Sequence, residues 1–230
     1  MPTTINLTKG GSIVGTSDTS QAAARDEADG TSITQDAASA LGVQYFKSSG
    51  RGGGTFRYTR SFLTFNTSGI TGTVTAATLN IESESTHNTA DIIAIRSLAF
   101  GGINATDDLV NGDFDSVDFS TAYSSEVSSW NTNGSNNAIS LNSNAFSAIQ
   151  SQNNFICAIV DHDSDFQDTD SLSGDGNQTV GIDFSGTITL VVTEAGTGYS
   201  HDINGVAAAN IGKVNALATG NIGKINTVVS

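Results

Sequence analysis

RSFLTFNTSGITGTVTAATLNIESE, residues 60–84, reads as strand, loop, strand. Leu63 and Phe65 alternate with polar residues. Asn66-Thr67-Ser68-Gly69 then supplies turn chemistry, and Ala77, Leu79 and Ile81 alternate with Thr78, Asn80 and Glu82. A period of two puts one set of side chains on a buried face and the other in water, the pattern of an antiparallel sheet.

The pattern extends outward. Upstream, Leu41, Val43 and Tyr45 share a face, Ile5 and Leu7 alternate, and Ile13-Val14 suits a short strand. Ser20–Asp29 suits either a short helical turn or a loop, because it lacks an apolar stripe. Downstream, Ile92–Phe100 is nearly continuously apolar, with Ile93 and Ile95 on one side and Ile92 and Ala94 on the other, which predicts a central strand covered on both faces. Ile139 and Leu141 mark a short strand, and Ser143 or Asn144 suits the cap of a brief helix carrying Phe146 and Ile149. Phe155–Val160 is a second apolar strand. Val180, Ile182 and Phe184, then Ile188, Leu190 and Val192, alternate on either side of a Ser185-Gly186 turn. Roughly eight to ten strands and one short helix predict an all-β chain, an antiparallel two-sheet β-sandwich of jelly-roll type. Residues 101–136 form a long polar connection through which Phe114, Phe119, Tyr123 and Trp130 are spaced. A connection of that length is functional or is pinned by its own aromatics.

"RSFLTFNTSGI…TVTAATLNI" is similar to the "R-x-F-L-x-F-D-T-S-x-I…V-x-x-A-T-L-x-L" signature of the DNRLRE-type jelly-roll domain. "NAISLNSNAFSAIQSQNNFICAIVDHDSDFQDTDSLSGDGNQTVGIDFSGTITLVVTEA" resembles the later half of phage versions of that domain. The two stretches touch about half of residues 40–195. The chain departs from the pattern at Asn66, where the family has Asp, and lacks the family's Asp-Pro before the last strand. The resemblance implies a jelly roll of the kind found in secreted bacterial proteins and in bacteriophage virion proteins.

The totals narrow the function. At 230 residues the chain suits one large all-β domain, alone or with an appendage. Nine basic residues against 23 acidic ones give a net charge of −14, which argues against non-specific nucleic-acid binding and against docking on anionic membranes. Cys157 is the single cysteine, so no intrachain disulfide forms, and a small buried core residue is expected there. No run approaches the ~18 apolar residues of a membrane-spanning helix. Met1-Pro2-Thr3-Thr4 lacks the basic start and apolar run of a secretory leader. That fits a protein made in the host cytoplasm and assembled into a virion, and equally a mature chain whose leader has been removed.

From Gly196 the character changes. Residues 1–40 read as an N-terminal arm with the first strands, 41–195 as the sandwich, 196–202 as a linker and 203–230 as an 11-residue repeat. Ile203-Asn204, Val214-Asn215 and Ile225-Asn226 are in register, as are Val206, Leu217 and Val228. Asn210-Ile211-Gly212-Lys213 recurs as Asn221-Ile222-Gly223-Lys224. With 11 residues per three turns these apolar positions would share one helical face, although Gly and Asn form helices poorly; short extended rungs are the other form. So small a segment cannot bury its stripe alone. Ile203, Val206, Ile211, Val214, Leu217, Ile222, Ile225 and Val228 are therefore the expected assembly interface. Tails of this "N-I-x-K-V-N-x-V" type resemble those ending many marine phage structural proteins.

Enzyme motifs are missing: the chain has no Gly-x-Ser-x-Gly elbow, no His-Glu-x-x-His, no Cys/His metal spacing and no dinucleotide fingerprint. A non-enzyme is expected. Ser48–Gly54 with Arg51 reads as a hairpin tip or an anion-binding loop. Asp161, Asp163 and Asp165 place oxygen donors at alternate positions, a candidate Ca²⁺ site that is not an EF-hand, because Phe166 stands where the glycine should be. The alternative is a solvated loop of Asx turns. Trp130 reads either as a glycan-stacking platform or as a plug closing one end of the fold. The leading expectation is a bacteriophage virion structural protein, as capsid decoration, head fibre or tail fibre. It would self-associate, a trimer being favoured, and dock on other virion proteins, with a host surface glycan as a further candidate partner. The alternative is a carbohydrate-binding module of a secreted or cell-surface protein.

Overall fold

The computed structural model describes residues 2–37, 40–50, 53–170 and 175–195, together with the residue pairs 213–214 and 217–218. In chain order it contains β1 (Thr3–Asn6), β2 (Lys9–Ser17), α1 (Gln21–Arg25), β3 (Ser32–Gln35), β4 (Ala40–Gly50), β5 (Gly53–Asn66), β6 (Val74–Asn88) and β7 (Ile92–Ser97). These are followed by β8 (Val117–Ala122), β9 (Asn136–Ser140), α2 (Ser143–Ser151), β10 (Asn154–Asp161), β11 (Gly176–Ile182) and β12 (Ile188–Glu194). The fold is all-β, and among the described residues every strand pairing is antiparallel. The twelve strands form one hydrogen-bonded network along the path β1-β12-β6-β11-β4-β5-β10-β7-β8, with β2, β3 and β9 attached beside it. Residues 3–35 are thus paired into the same network as residues 40–194, through β1 on β12 and β2 on β5.

Two long strands organise the network. β5 pairs along one edge with β2, and along the other with β4 first and then, from Ser61 onward, with β10. β4 and β5 stay in register down to Gly50 opposite Gly53, so the glycine-rich stretch lies at the end of a hairpin. β6 pairs with β12 and β9 over its first half and with β11 further along.

The alternation in β6 is as its sequence predicts: Ala77, Leu79 and Ile81 are buried, while Thr78, Asn80 and Glu82 are half-buried. β5 departs from that pattern. Arg60, Ser61, Phe62, Leu63, Thr64 and Phe65 are all buried, because both faces of the strand are covered. Leu63 and Phe65 join one apolar cluster with Leu79, Ile81, Phe155, Cys157 and Leu190. Tyr58 and Phe62 join a second cluster with Ile13, Ala24, Phe100 and Phe114. β7 is central as predicted, with Ile92 and Ala94 in the first cluster and Ile93 and Ile95 in the second. All eight residues of β10 are buried.

The second cluster is roofed by segments that the sequence leaves undefined. The open choice at Ser20–Asp29 resolves to α1, where the Ser20 side chain accepts from Ala23 N–H at 3.0 Å. The long connection carries a 3₁₀ turn at Asn111–Asp115 and then β8, and buried Phe114 pins it. Gly15 permits that close approach, since a Cβ there would overlap Phe114 Cζ and lie 2.7 Å from the Ala24 carbonyl oxygen. The cap of α2 is Asn142 rather than Ser143 or Asn144, its side chain accepting from Asn144 N–H at 2.9 Å and Ala145 N–H at 3.3 Å. Among the described residues, no helix is long and apolar enough to cross a membrane.

Within the repeat, β13 (Lys213–Val214) pairs with β14 (Leu217–Ala218), Val214 opposite Leu217. Ile203, Val206, Ile211, Ile222, Ile225 and Val228 lie outside the described residues.

Candidate functional site

Polar side chains concentrate where β10 ends. Arg60 projects from β5 into the second cluster and is 1% exposed, as is the side chain of Asp165. Its Nε donates to Asp165 Oδ2 at 2.8 Å and its Nη2 to Asp165 Oδ1 at 2.7 Å, the bidentate geometry that a guanidinium offers a carboxylate. Nη1 donates to the Phe114 carbonyl at 2.7 Å, and Nη2 also donates to the Arg25 carbonyl at 2.8 Å. The Phe114 ring centroid lies 4.1 Å from Arg60 Cζ and the Phe119 centroid 5.1 Å. A buried charge is tolerated when it is paired and hydrogen-bonded, and Arg60 is paired and places four of its five N–H donors. The ion pair ties β5, α1 and the long connection to the segment after β10. Beside it, Arg25 is itself buried and pairs through Nη2 with Asp168 Oδ1 at 2.5 Å. Arg25, Asp26, Phe119, Asp165, Phe166 and Asp168 line a cavity of about 240 Å³.

After Asp161 the chain leaves the sheet and makes one π-turn, His162–Phe166, in which Gln167 N–H reaches back five residues to the His162 carbonyl at 3.1 Å. This turn decides where the three aspartates go. Asp161 caps it, Oδ1 accepting from Ser164 N–H at 2.7 Å and from Ser164 Oγ at 2.5 Å. Asp161 Oδ2 is buried without a hydrogen-bond partner, and burial raises the pKa of this carboxyl. Asp163 is exposed, and both oxygens of Asp165 accept from Arg60. Alternate spacing would align the three carboxylates on an extended strand, but on this turn they diverge. The oxygens of Asp161, Asp163 and Asp165 do not gather within 4.8 Å of one another.

Among the described residues, the metal-ligating atoms that do gather within 4.8 Å belong to Glu126, His162 and Asp163. His162 Nδ1 lies 3.0 Å from Asp163 Oδ1 and 3.7 Å from Glu126 Oε2. Glu126 precedes Val127, which bridges to Ile92 at the start of β7 through bonds of 2.8 and 3.1 Å. His162 N–H donates to the Asp91 carbonyl at 2.8 Å. Glu126 lies in the long polar connection, 36 residues before His162, and nothing in the sequence pattern links the two.

Trp130 is 6% exposed, belongs to the first apolar cluster, and donates from Nε1 to the Gly181 carbonyl at 3.3 Å. An indole buried in this way offers no open face on which a sugar could stack. A polar groove of about 230 Å³ lies elsewhere, lined by Asn80, Glu82, Gly134, Asn136, Thr187 and Thr189 of β6, β9 and β12 and the turns beside them. Cys157 is fully buried, and desolvation pushes its thiol up to about 12. No protein-family model matches the chain, and no curated protein matches it in sequence.

Proposed function

We propose that the protein is a non-enzymatic bacteriophage virion component, a capsid decoration, head-fibre or tail-fibre part. In this reading its strand-rich body is a two-sheet jelly roll, and residues 203–230 mediate association with other copies of the chain, the assembly then docking on other virion proteins. The observation that carries the proposal is the 11-residue repeat beyond the last strand of the body, in which Val214 stands opposite Leu217 across a two-residue ladder. A ladder that short is not stable by itself in water, and its apolar positions need a neighbour to cover them. The repeat also carries Lys213 and Lys224 beside a body rich in carboxylates, a polarity suited to docking on an acidic surface. Replacing both Val214 and Leu217 by Asp in the full chain should abolish self-association and leave the unfolding midpoint of the body unchanged. Association that survives the double substitution would remove the proposal.

One observation favours a carbohydrate-binding module as the second reading. The Asn- and Thr-lined groove on β6, β9 and β12 offers amide and hydroxyl groups to a polar ligand. A glycan array showing no binding removes that alternative, and binding that Asn80→Ala or Asn136→Ala abolishes would favour it.

A further inference from the structure

We propose that Glu126, His162 and Asp163 form a binding site for a divalent transition-metal ion of the zinc class, held by His162 Nδ1 and one oxygen from each carboxylate. The spacing is the first argument. Ligands bound to zinc at ~2.0–2.1 Å in a tetrahedron stand roughly 3.3 Å apart. The Nδ1···Oδ1 distance of 3.0 Å and the Nδ1···Oε2 distance of 3.7 Å bracket that value, and all three ligand atoms lie within 4.8 Å of one another, so the two exposed carboxylates have only to close on the ion.

The second argument is the way the ring is held. The imidazole stacks on Phe166, centroids 5.8 Å apart and planes 21° from parallel, which aims Nδ1 at the two carboxylates. Its other nitrogen, Nε2, sits 3.3 Å from the Gln167 side-chain amide. That amide can donate to Nε2 or, turned over, accept a proton from it. Gln167 can therefore hold the ring both when Nδ1 carries the proton and when Nδ1 binds a metal, the supporting contact that metal-bound histidines use. Both backbones are fixed as well, Glu126 through the Val127–Ile92 bridge and His162 through its bond to Asp91.

The donor set selects the ion. One imidazole nitrogen with two carboxylates suits zinc and its first-row neighbours, whereas Ca²⁺ and Mg²⁺ prefer oxygen alone. Charge favours a dication too: two carboxylates converge here in a chain of net charge −14, and a protonated imidazole would neutralise only one of them. The side chains of Glu126 and Asp163 are 42% and 48% exposed, so an ion can enter and keep water on its remaining positions.

The test uses the full chain, stripped with a chelator and titrated with Zn²⁺ by calorimetry and by thermal unfolding. One ion per chain should bind at this site, and free zinc at about 100 times its Kd should raise Tm by about 5–10 °C, reversibly with chelator. Ca²⁺ and Mg²⁺ at the same concentration should leave Tm unchanged. Glu126→Gln and Asp163→Asn alter exposed groups, so each should keep the metal-free Tm and lose one equivalent of bound zinc together with the shift. His87 and His201 give the chain two other imidazoles, so the lost equivalent, rather than total zinc, is the readout. A wild-type chain without a zinc-dependent shift, or a shift that persists in both variants, overturns the proposal.

Discussion

Separating Arg60 from Asp165 should cost far more than any surface ion pair in this protein. Both side chains are 1% exposed, so a variant that removes one partner leaves a full charge in the interior. Asp165→Ala removes two charge-assisted bonds from a guanidinium that keeps only the Phe114 and Arg25 carbonyls. Arg60→Met leaves the Asp165 carboxylate without either of the guanidinium donors that now satisfy it. Breaking a buried pair in this way costs about 3–5 kcal/mol, a large share of the roughly 5–15 kcal/mol that holds a domain folded. At about 2–4 °C per kcal/mol for a chain of this size, each single variant should melt about 6–20 °C lower. The double variant Arg60→Met/Asp165→Ala removes both charges, and the Phe114 and Arg25 carbonyls that it leaves without donors, each at about 1–3 kcal/mol, are already without them in Arg60→Met. It should therefore be no less stable than Arg60→Met, giving a coupling energy of at least about 3 kcal/mol in a urea-unfolding double-mutant cycle. Additive losses, or a single-variant loss under about 1 kcal/mol, would refute the assignment of a buried, mutually dependent pair.

Other residues give independent tests. Burial raises the Asp161 pKa in the folded state, so its contribution to stability is full below the unfolded value near ~3.9 and is lost as pH rises through the folded pKa. Asp161→Asn should consequently gain stability over wild type at pH 7, with the difference shrinking toward zero in acid; a pH-independent difference in Tm would contradict this. Cys157, fully buried with its thiol pushed up to about 12, should resist alkylation in the native protein at pH 8 and react at the rate of unfolding, a result that fast native labelling would contradict. Gly15→Ala should destabilise the chain by at least about 1–3 kcal/mol, because its Cβ would overlap Phe114; denaturant midpoints decide it. Trp130→Ala should cost about 3–5 kcal/mol in the same assay, and the Trp130 fluorescence of the native chain should be insensitive to added glycans.

The parts of the fold legible in the sequence are those where one physical signal dominates. β6 alternates because only one of its faces is buried, and Ile92–Ile95 of β7 and Phe155–Val160 of β10 are apolar runs because both faces are covered there. β5 is harder, since a charged residue in a strand reads as a wet position, and the carboxylate that makes Arg60 a core residue lies 105 positions away. Tyr58 and Phe62, in step with Arg60, were the available sign of a second buried face. The full length of β2 is hidden by Gly10, Gly11 and Gly15, which give no periodicity, and β8 is masked by Asp118 and Ser120. At the candidate site, the acidic run Asp161–Asp165 draws attention to the segment after β10. Its grouping was not readable, because the π-turn replaces a period of two and brings in Glu126 from a separate loop.

The central claim is that residues 203–230 assemble this protein, and its most direct test is the mass in solution by light scattering. The measurement compares the full chain with a version ending at Ala195, where the last strand of the body is complete. A trimer or larger assembly that falls to a folded monomer on truncation is the predicted result. Equal association states for the two chains would contradict it.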